Sequence, residues 1–385
     1  MNTPPPIKKL LVLTSATGAG HDSHAQATME WCQHLYGEGV EVRIVHLLED
    51  SHFFYKGAVE FYNIIQRNAP WFHHVYFNVI EFLDLLNAGT VSLGRKHTIQ
   101  LFQEFQPDAI LSVHDCLNRG YVELAKSVLG EKVRCATYCT EFSGGYGFSR
   151  NWVNLRSDTY FSRTEEVRLA AKKAGVPAER IVKAGHWAAI PFYAAPMSDE
   201  EKGNYLSKEF SLEKNRFTLL LSTGGAGAQN HLDLLRALQP LGTGLQVIVL
   251  CGRDPVAKIR LEQAVAEEIK FPVRALSFTR DMPRLLQACS AVVARAGATT
   301  AGEALLCGCP MLFNALGGIM PQEMPTQRTF QQWGISSPLL RQPRDLKKVV
   351  ETWLDQPQTL LALKSKILQH RDTTTPEQAL RRLLD

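Results

Sequence analysis

Short apolar runs alternate with longer stretches of helical spacing along most of the chain. The run at 10–14 leads through a glycine turn into a helical pattern over 23–36, and "VEVRIVHLL" at 40–48 follows as a second strand. That order is a β-α-β unit. Beyond an aromatic segment at 52–90 the grammar resumes with "DAILSVHD", a helix over 118–129, "VRCATYCT", "DTYFSR", a helix over 164–174 and "RIVKAGH". Strands that alternate with helices predict a parallel, helix-covered sheet.

A polar, charged, Pro-containing stretch near 191–215 interrupts the pattern, which then restarts with "FTLLLSTGGAGAQ" and a helix over 229–238. "LQVIVLCG", a helix over 255–268, "VRALSF", a helix over 281–288, "AVVARAG", a helix over 299–307 and "PMLFNA" complete the second half. The predicted fold class is therefore α/β, with two Rossmann-like domains facing each other across a cleft. The boundaries fall at 1–195 for the first domain with its aromatic insert 52–90, 196–215 for a linker, and 216–385 for the second domain. A length of 385 residues agrees with two cores rather than one. Ligands of open parallel sheets sit at the carboxyl ends of the strands, so two facing sheets make one cleft able to join two substrates.

Composition narrows the function by exclusion. A net charge of +4 is far from the dense basic surface of a nucleic-acid binder, so no nucleic-acid partner is expected. Eight cysteines lie scattered in apolar runs with no zinc-like spacing, as in a reduced, cytoplasmic protein. The first apolar run opens into a glycine loop instead of a cleavage site, and no run is long enough to span a bilayer.

Two loops carry phosphate-binding character. In "TSATGAGHDSHAQA" Gly18 and Gly20 follow the first strand and His21 opens the next helix. Glycines let a ligand approach the backbone, and a helix N-terminus attracts negative charge. His21 either caps that helix or acts as a general base on an acceptor hydroxyl, and the glycine loop favours the base. The second loop, "STGGAGAQNH", places Gly224, Gly225 and Gly227 before a helix, where backbone amides suit a diphosphate. Neither loop is a Walker motif, and neither has the full dinucleotide fingerprint. Further on, a strand ends at Arg295 and Gly297, Thr299 and Thr300 open a helix, and Glu303 lies in its first turns. Either threonine can hydrogen-bond a phosphate there, and Glu303 either accepts from two ribose hydroxyls or serves as a capping carboxylate of the helix.

Over 278–323 the chain resembles the donor site of the glycosyltransferase family that contains the lipid II-forming N-acetylglucosaminyltransferase, the monogalactosyldiacylglycerol synthases and bacterial diacylglycerol glucosyltransferases. These are family 28-like enzymes of the GT-B fold. The resemblance implies that the backbone at Thr279, after Phe278, reads uracil. It implies that Arg295, Gly297, Thr300 and Glu303 fill an R-x-G-x-x-T-x-x-E motif for phosphate and ribose, and that Gln322-Glu323 holds the donor sugar. The opening Gly18-x-Gly20-His21 matches as well and implies an acceptor-side base. Segment 52–90 is similar to the helical insert of the glycolipid-synthase branch, which points Trp71 and Tyr76 toward acceptor binding, alongside Gly18 and Gly20. Its aromatic density suits a membrane interface or an acyl groove, or else a hairpin packed on its own domain. His114, at a strand end, either orients the acceptor or makes a structural hydrogen bond, with the structural role favoured. Asp22 stands where the branch often has a basic residue, and Thr140-Glu141 where it has T-D.

The expectation is an inverting, metal-independent hexosyltransferase. It would use a UDP-sugar as co-substrate with no separate cofactor, act on a lipid acceptor such as diacylglycerol, and lie peripheral to the cytoplasmic membrane surface. A transferase acting on a non-lipid acceptor and a UDP-sugar epimerase or hydrolase on the same fold remain as alternatives. A dinucleotide-dependent oxidoreductase fits less well, because Glu49 and Asp50 fall too late after the second strand.

Overall fold

The computed structural model describes residues 7–87, 90–222 and 230–385. Among them eleven strands form two wholly parallel sheets. The first sheet holds β1 (Lys9–Thr14), β2 (Glu41–His46), β3 (Ala109–Ser112), β4 (Arg134–Cys139), β5 (Thr159–Ser162) and β6 (Ile181–Lys183), in the order β2-β1-β3-β4-β5-β6. The second holds β7 (Phe217–Ser222), β8 (Leu245–Leu250), β9 (Val273–Leu276), β10 (Ala291–Ala294) and β11 (Met311–Phe313), in the order β11-β10-β7-β8-β9. The two-domain α/β architecture expected from the sequence is the one observed.

Both faces of each sheet are covered, which is why the strands read as continuous apolar runs. Leu10 and Val12 of β1 enter one core while their neighbours Leu11 and Leu13 enter the opposite one. In the second sheet Leu220 and Ile248 face one core, and Leu219, Leu221 and Val247 the other. The chain order reverses beside β1 in the first sheet and beside β7 in the second. At such switch points neighbouring strand ends diverge and leave a crevice. His21 follows β1 and Arg295 follows β10, so both crevices carry residues singled out above.

Two domain boundaries need correction. Residues 196–215 are no free linker: Asp199–Phe210 is a helix opened by a reciprocal Ser198/Glu201 cap. Its Tyr205 and Leu206 are buried in the second domain's core, and the Tyr205 hydroxyl bonds to Asp281 at 2.7 Å. Its charges are the solvent face of an amphipathic helix. The last helix, Glu377–Leu384, leaves the second domain and packs on the first sheet, where Ala379, Leu380, Leu383 and Leu384 join Leu10, Val12 and Trp31. Arg134 donates to the Leu383 carbonyl at 2.8 Å, satisfying a carbonyl the helix end leaves open. Leu380 is fully buried there. Leu380→Ala is therefore expected to cost about 2–5 kcal/mol in chemical denaturation; a loss under about 0.5 kcal/mol would show that the helix is not part of the first core.

Candidate active site between the two sheets

A cavity of about 560 Å³ lies between the carboxyl ends of the two sheets and is lined by both halves and by the aromatic insert. From the first half come Gly18, Gly20, His21 and His114; from the second come Arg295, Gly297, Thr299, Thr300, Glu303, Gln322 and Glu323; from the insert comes Tyr76. Residues scattered over some 300 positions thus meet in one space.

His21 opens the helix Gly20–Tyr36 at the end of β1. Its Nδ1 lies 2.8 Å from the Val113 carbonyl. A carbonyl only accepts, so Nδ1 carries the proton and Nε2 keeps the lone pair that a general base needs. The ring rests against His114 at 4.3 Å and Trp152 at 6.2 Å between centroids, which fixes its plane. His114 is buried, and burial holds its imidazole well below the usual range; it bonds to Thr17 at 2.7 Å. It packs against His21 and stays neutral. Asp22 turns away to His46 at 2.9 Å, and that bond raises the His46 pKa.

Across the cavity the helix Ala298–Leu306 presents its N-terminus. Thr299 and Thr300 sit in its first turn, and burial pushes the Glu303 carboxyl up to about 7. Directly behind lies Arg163, which the sequence reading did not single out. Its guanidinium is buried and donates to the Ala298 carbonyl at 2.6 Å, the Tyr138 hydroxyl at 3.2 Å and His24 Nε2 at 3.1 Å. His24 Nδ1 donates to the Trp187 carbonyl at 2.6 Å, and Nε2 also meets the Thr299 hydroxyl at 3.0 Å. Burial and then Arg163 hold His24 neutral. The approach is close: a Cβ on Gly20 would lie 2.7 Å from Thr299 Oγ1. Gly20 is glycine because the second domain touches it.

Arg295 and Glu323, both expected at the donor, are bound to each other. Two guanidinium nitrogens meet the carboxylate at 2.7 and 2.6 Å, and Glu323 also accepts the Met320 N–H at 2.8 Å. Arg295 further donates to the Gly318 carbonyl at 2.8 Å. The pair fixes the loop that carries Gln322, and any donor contact must use the lone pairs left over. Gln322 donates to the hydroxyl of Tyr62 in the insert at 2.7 Å.

Three expected residues are not at this cavity. Trp71 does not line it; the side chain is exposed, and its Cβ lies against the backbone of Gly318. Phe278 and Thr279 lie beyond the rim after β9. The Phe278 ring is half exposed under the Arg253 guanidinium at 4.6 Å, and Thr279 accepts the Asp281 N–H at 3.0 Å. Gly224, Gly225 and Gly227 lie outside the described residues. Among the described residues only His114, Asp115 and Cys116 bring three possible metal-ligand atoms within 4.8 Å. Nδ1 of His114 already accepts the Cys116 N–H at 3.2 Å, which does not suit a free ligand. Glu141, at the end of β4, was noted only for its place in a motif; it is a buried carboxyl on the cavity wall.

Comparison with known proteins adds to this geometry. A family model for monogalactosyldiacylglycerol (MGDG) synthase matches residues 21–186, and one for the glycosyltransferase family 28 C-terminal domain matches 218–323. The chain is 25% identical to chloroplastic monogalactosyldiacylglycerol synthase 1 of Arabidopsis thaliana over 90% of its own length, and spans 64% of that relative. It is 23% identical to the processive diacylglycerol beta-glucosyltransferase of Staphylococcus epidermidis, over 98% of this chain and 93% of the other. Among solved structures, Acinetobacter baumannii MurG superposes with a TM-score of 0.62 at 15% identity, covering 98% of this chain and 99% of that one. The two model matches lie on the two sides of the cavity: the first half is similar to the MGDG synthases, the second carries a glycosyltransferase family 28 C-terminal domain, and the fold is that of the GT-B enzymes.

Proposed function

We propose that this glycosyltransferase moves a hexose from a UDP-sugar to the free hydroxyl of a diacylglycerol-type lipid by one inverting displacement, with no metal ion. The observation that carries the reading is the fixed His21 tautomer. Nε2 lines a cavity whose opposite wall is a helix N-terminus, so a base and an anion site face each other.

The acceptor hydroxyl gives its proton to His21 Nε2 as its oxygen attacks the anomeric carbon. The bond from that carbon to the diphosphate oxygen breaks on the opposite face, and its electron pair leaves with UDP. The leaving charge grows at the N-terminus of Ala298–Leu306, next to the hydroxyls of Thr299 and Thr300 and in front of the buried Arg163 cation. Among the described residues no carboxylate lies within salt-bridge distance of Arg163, so its charge is free to act on the diphosphate. These groups do the work a divalent ion would otherwise do. Glu303 holds the ribose hydroxyls.

The lipid assignment rests on the insert. Its helices Phe53–Asn68 and His73–Asn87 expose Phe53, Phe54, Phe61, Ile64, Val75, Val79 and Phe82, with Phe53 81% exposed. Val75, Val79 and Phe82 recur at helical spacing on one face. Exposed apolar side chains of this kind suit a membrane interface, and Phe54 and Phe77 of the same helices line the cavity. Among the described residues no helix is long and apolar enough to cross a bilayer. The relatives' names carry diacylglycerol chemistry and support the same acceptor.

The direct test supplies labelled UDP-galactose, UDP-glucose or UDP-N-acetylglucosamine with diacylglycerol in vesicles. Label in the extracted lipid is expected from one donor; label recovered only as free sugar or as an epimerised nucleotide sugar would overturn the reading. His21→Ala should lower turnover by about 10²–10⁴-fold with little change in donor affinity. Phe54→Ser with Phe82→Ser should reduce co-sedimentation with vesicles several-fold, whereas unchanged pelleting would remove the insert from the membrane. The raised Glu303 carboxyl must ionise to accept two ribose hydroxyls. Affinity for the UDP-sugar should therefore fall as pH drops below about 7, toward tenfold per unit, and Glu303→Gln should flatten that slope. Isothermal titration from pH 5.5 to 8 decides it.

A further inference from the structure

Glu141 stands two residues beyond β4, at the switch-point end of the first sheet and on the wall of the same cavity. It is 7% exposed, and its Oε2 has no hydrogen-bond partner. An unpartnered buried carboxyl oxygen costs free energy that a packed interior does not ordinarily leave uncompensated. Trp152, which also lies against His21, is its neighbour on that wall. The orphan oxygen therefore belongs to the half of the cavity where the acceptor meets its base.

We infer that Glu141 is an acceptor-binding residue that donates a hydrogen bond to an ester carbonyl of the acylglycerol, beside the hydroxyl that His21 deprotonates. The inference rests on the proposed lipid acceptor and names the part of the lipid that is read. An ester carbonyl only accepts hydrogen bonds. An ionised carboxylate would repel it, whereas a carboxylic acid binds it.

The surroundings keep the acid form. Burial, aided by the Asp115 charge after β3, pushes the carboxyl up to about 8. Arg163 at the end of β5 and Arg328 on the helix Met324–Gln332 act in the opposite direction, as does the Trp152 indole. Cys139 of β4 and Tyr160 of β5 also face it, and burial raises both, so they stay neutral. Below about pH 8 the group is thus a donor, and above it an acceptor.

The test compares a diacylglycerol with the matching dialkyl ether lipid, which keeps the hydroxyl and both chains but lacks the carbonyls. One hydrogen bond makes the wild type favour the ester by about tenfold in kcat/KM at pH 7. Glu141→Ala should bring the ester down to the ether value while leaving KM for the UDP-sugar unchanged, which also shows that the variant is folded. Glu141→Gln keeps an N–H donor and should keep the preference. Above pH 8 the wild type should lose the preference and the Gln variant should not. Equal use of ester and ether by the wild type, or a preference that survives in the Ala variant, overturns the inference. Transfer to neither lipid by the wild type overturns the lipid reading and this inference with it.

Discussion

The buried guanidinium of Arg163 is the constraint on which the cleft depends. It leaves the first sheet at the end of β5 and reaches the first carbonyl of a helix in the second domain, with His24 and Thr299 closing the ring. Placing a cation there is costly in a low-dielectric interior. Three acceptors and the face of Phe142, 5.1 Å from the guanidinium carbon, offset part of that cost. What remains is a positive potential at the interdomain junction, reinforced by a helix N-terminus. A junction of that character favours a diphosphate in the cleft, so the contact that joins the halves also prepares the site.

Other contacts fix how far the halves close. A Cβ on Gly147 would lie 1.8 Å from the Pro321 carbonyl, so only glycine lets that loop pass the second domain. Arg328 donates to the Gly144 and Tyr146 carbonyls, and His74 of the insert meets the Ile319 carbonyl at 2.9 Å. Segment 316–328, held internally by Arg295 and Glu323, therefore lies between the insert and the loop after β4. One face of the insert touches segment 316–328 while its other face is apolar and exposed. The insert and the second half are parts of one mechanical unit.

The strands were legible because burial on both faces writes each as a continuous apolar run. The second strand was overextended: β2 ends at His46 and Leu47–Ser51 turns helical, since apolarity marks burial without naming the element. The place of His21, Thr300 and Glu303 on the cavity wall was legible because its signal is local, a glycine loop or a strand end followed by a helix start. Arg163 and Glu141 were not. A lone charge after an apolar strand reads as a solvated end until the partner domain covers it. The last helix displayed its apolar face at 379, 380, 383 and 384, but no local signal tells which sheet that face meets. The polar segment 196–215 misled for the opposite reason, because its charges hid a capped helix.

The proposed reaction requires that the cleft bind a uridine nucleotide on its second half whether or not His21 on its first half is intact. Thermal unfolding of the wild type and of His21→Ala with UDP, UDP-glucose, UDP-galactose, UDP-N-acetylglucosamine and NAD tests it most directly. A ligand at about 100 times its Kd adds roughly 2.7 kcal/mol of stability. UDP and one UDP-sugar should raise the melting temperature of both proteins by the same amount, with no response to NAD. Silence from every uridine ligand, or a response to NAD alone, would contradict the account.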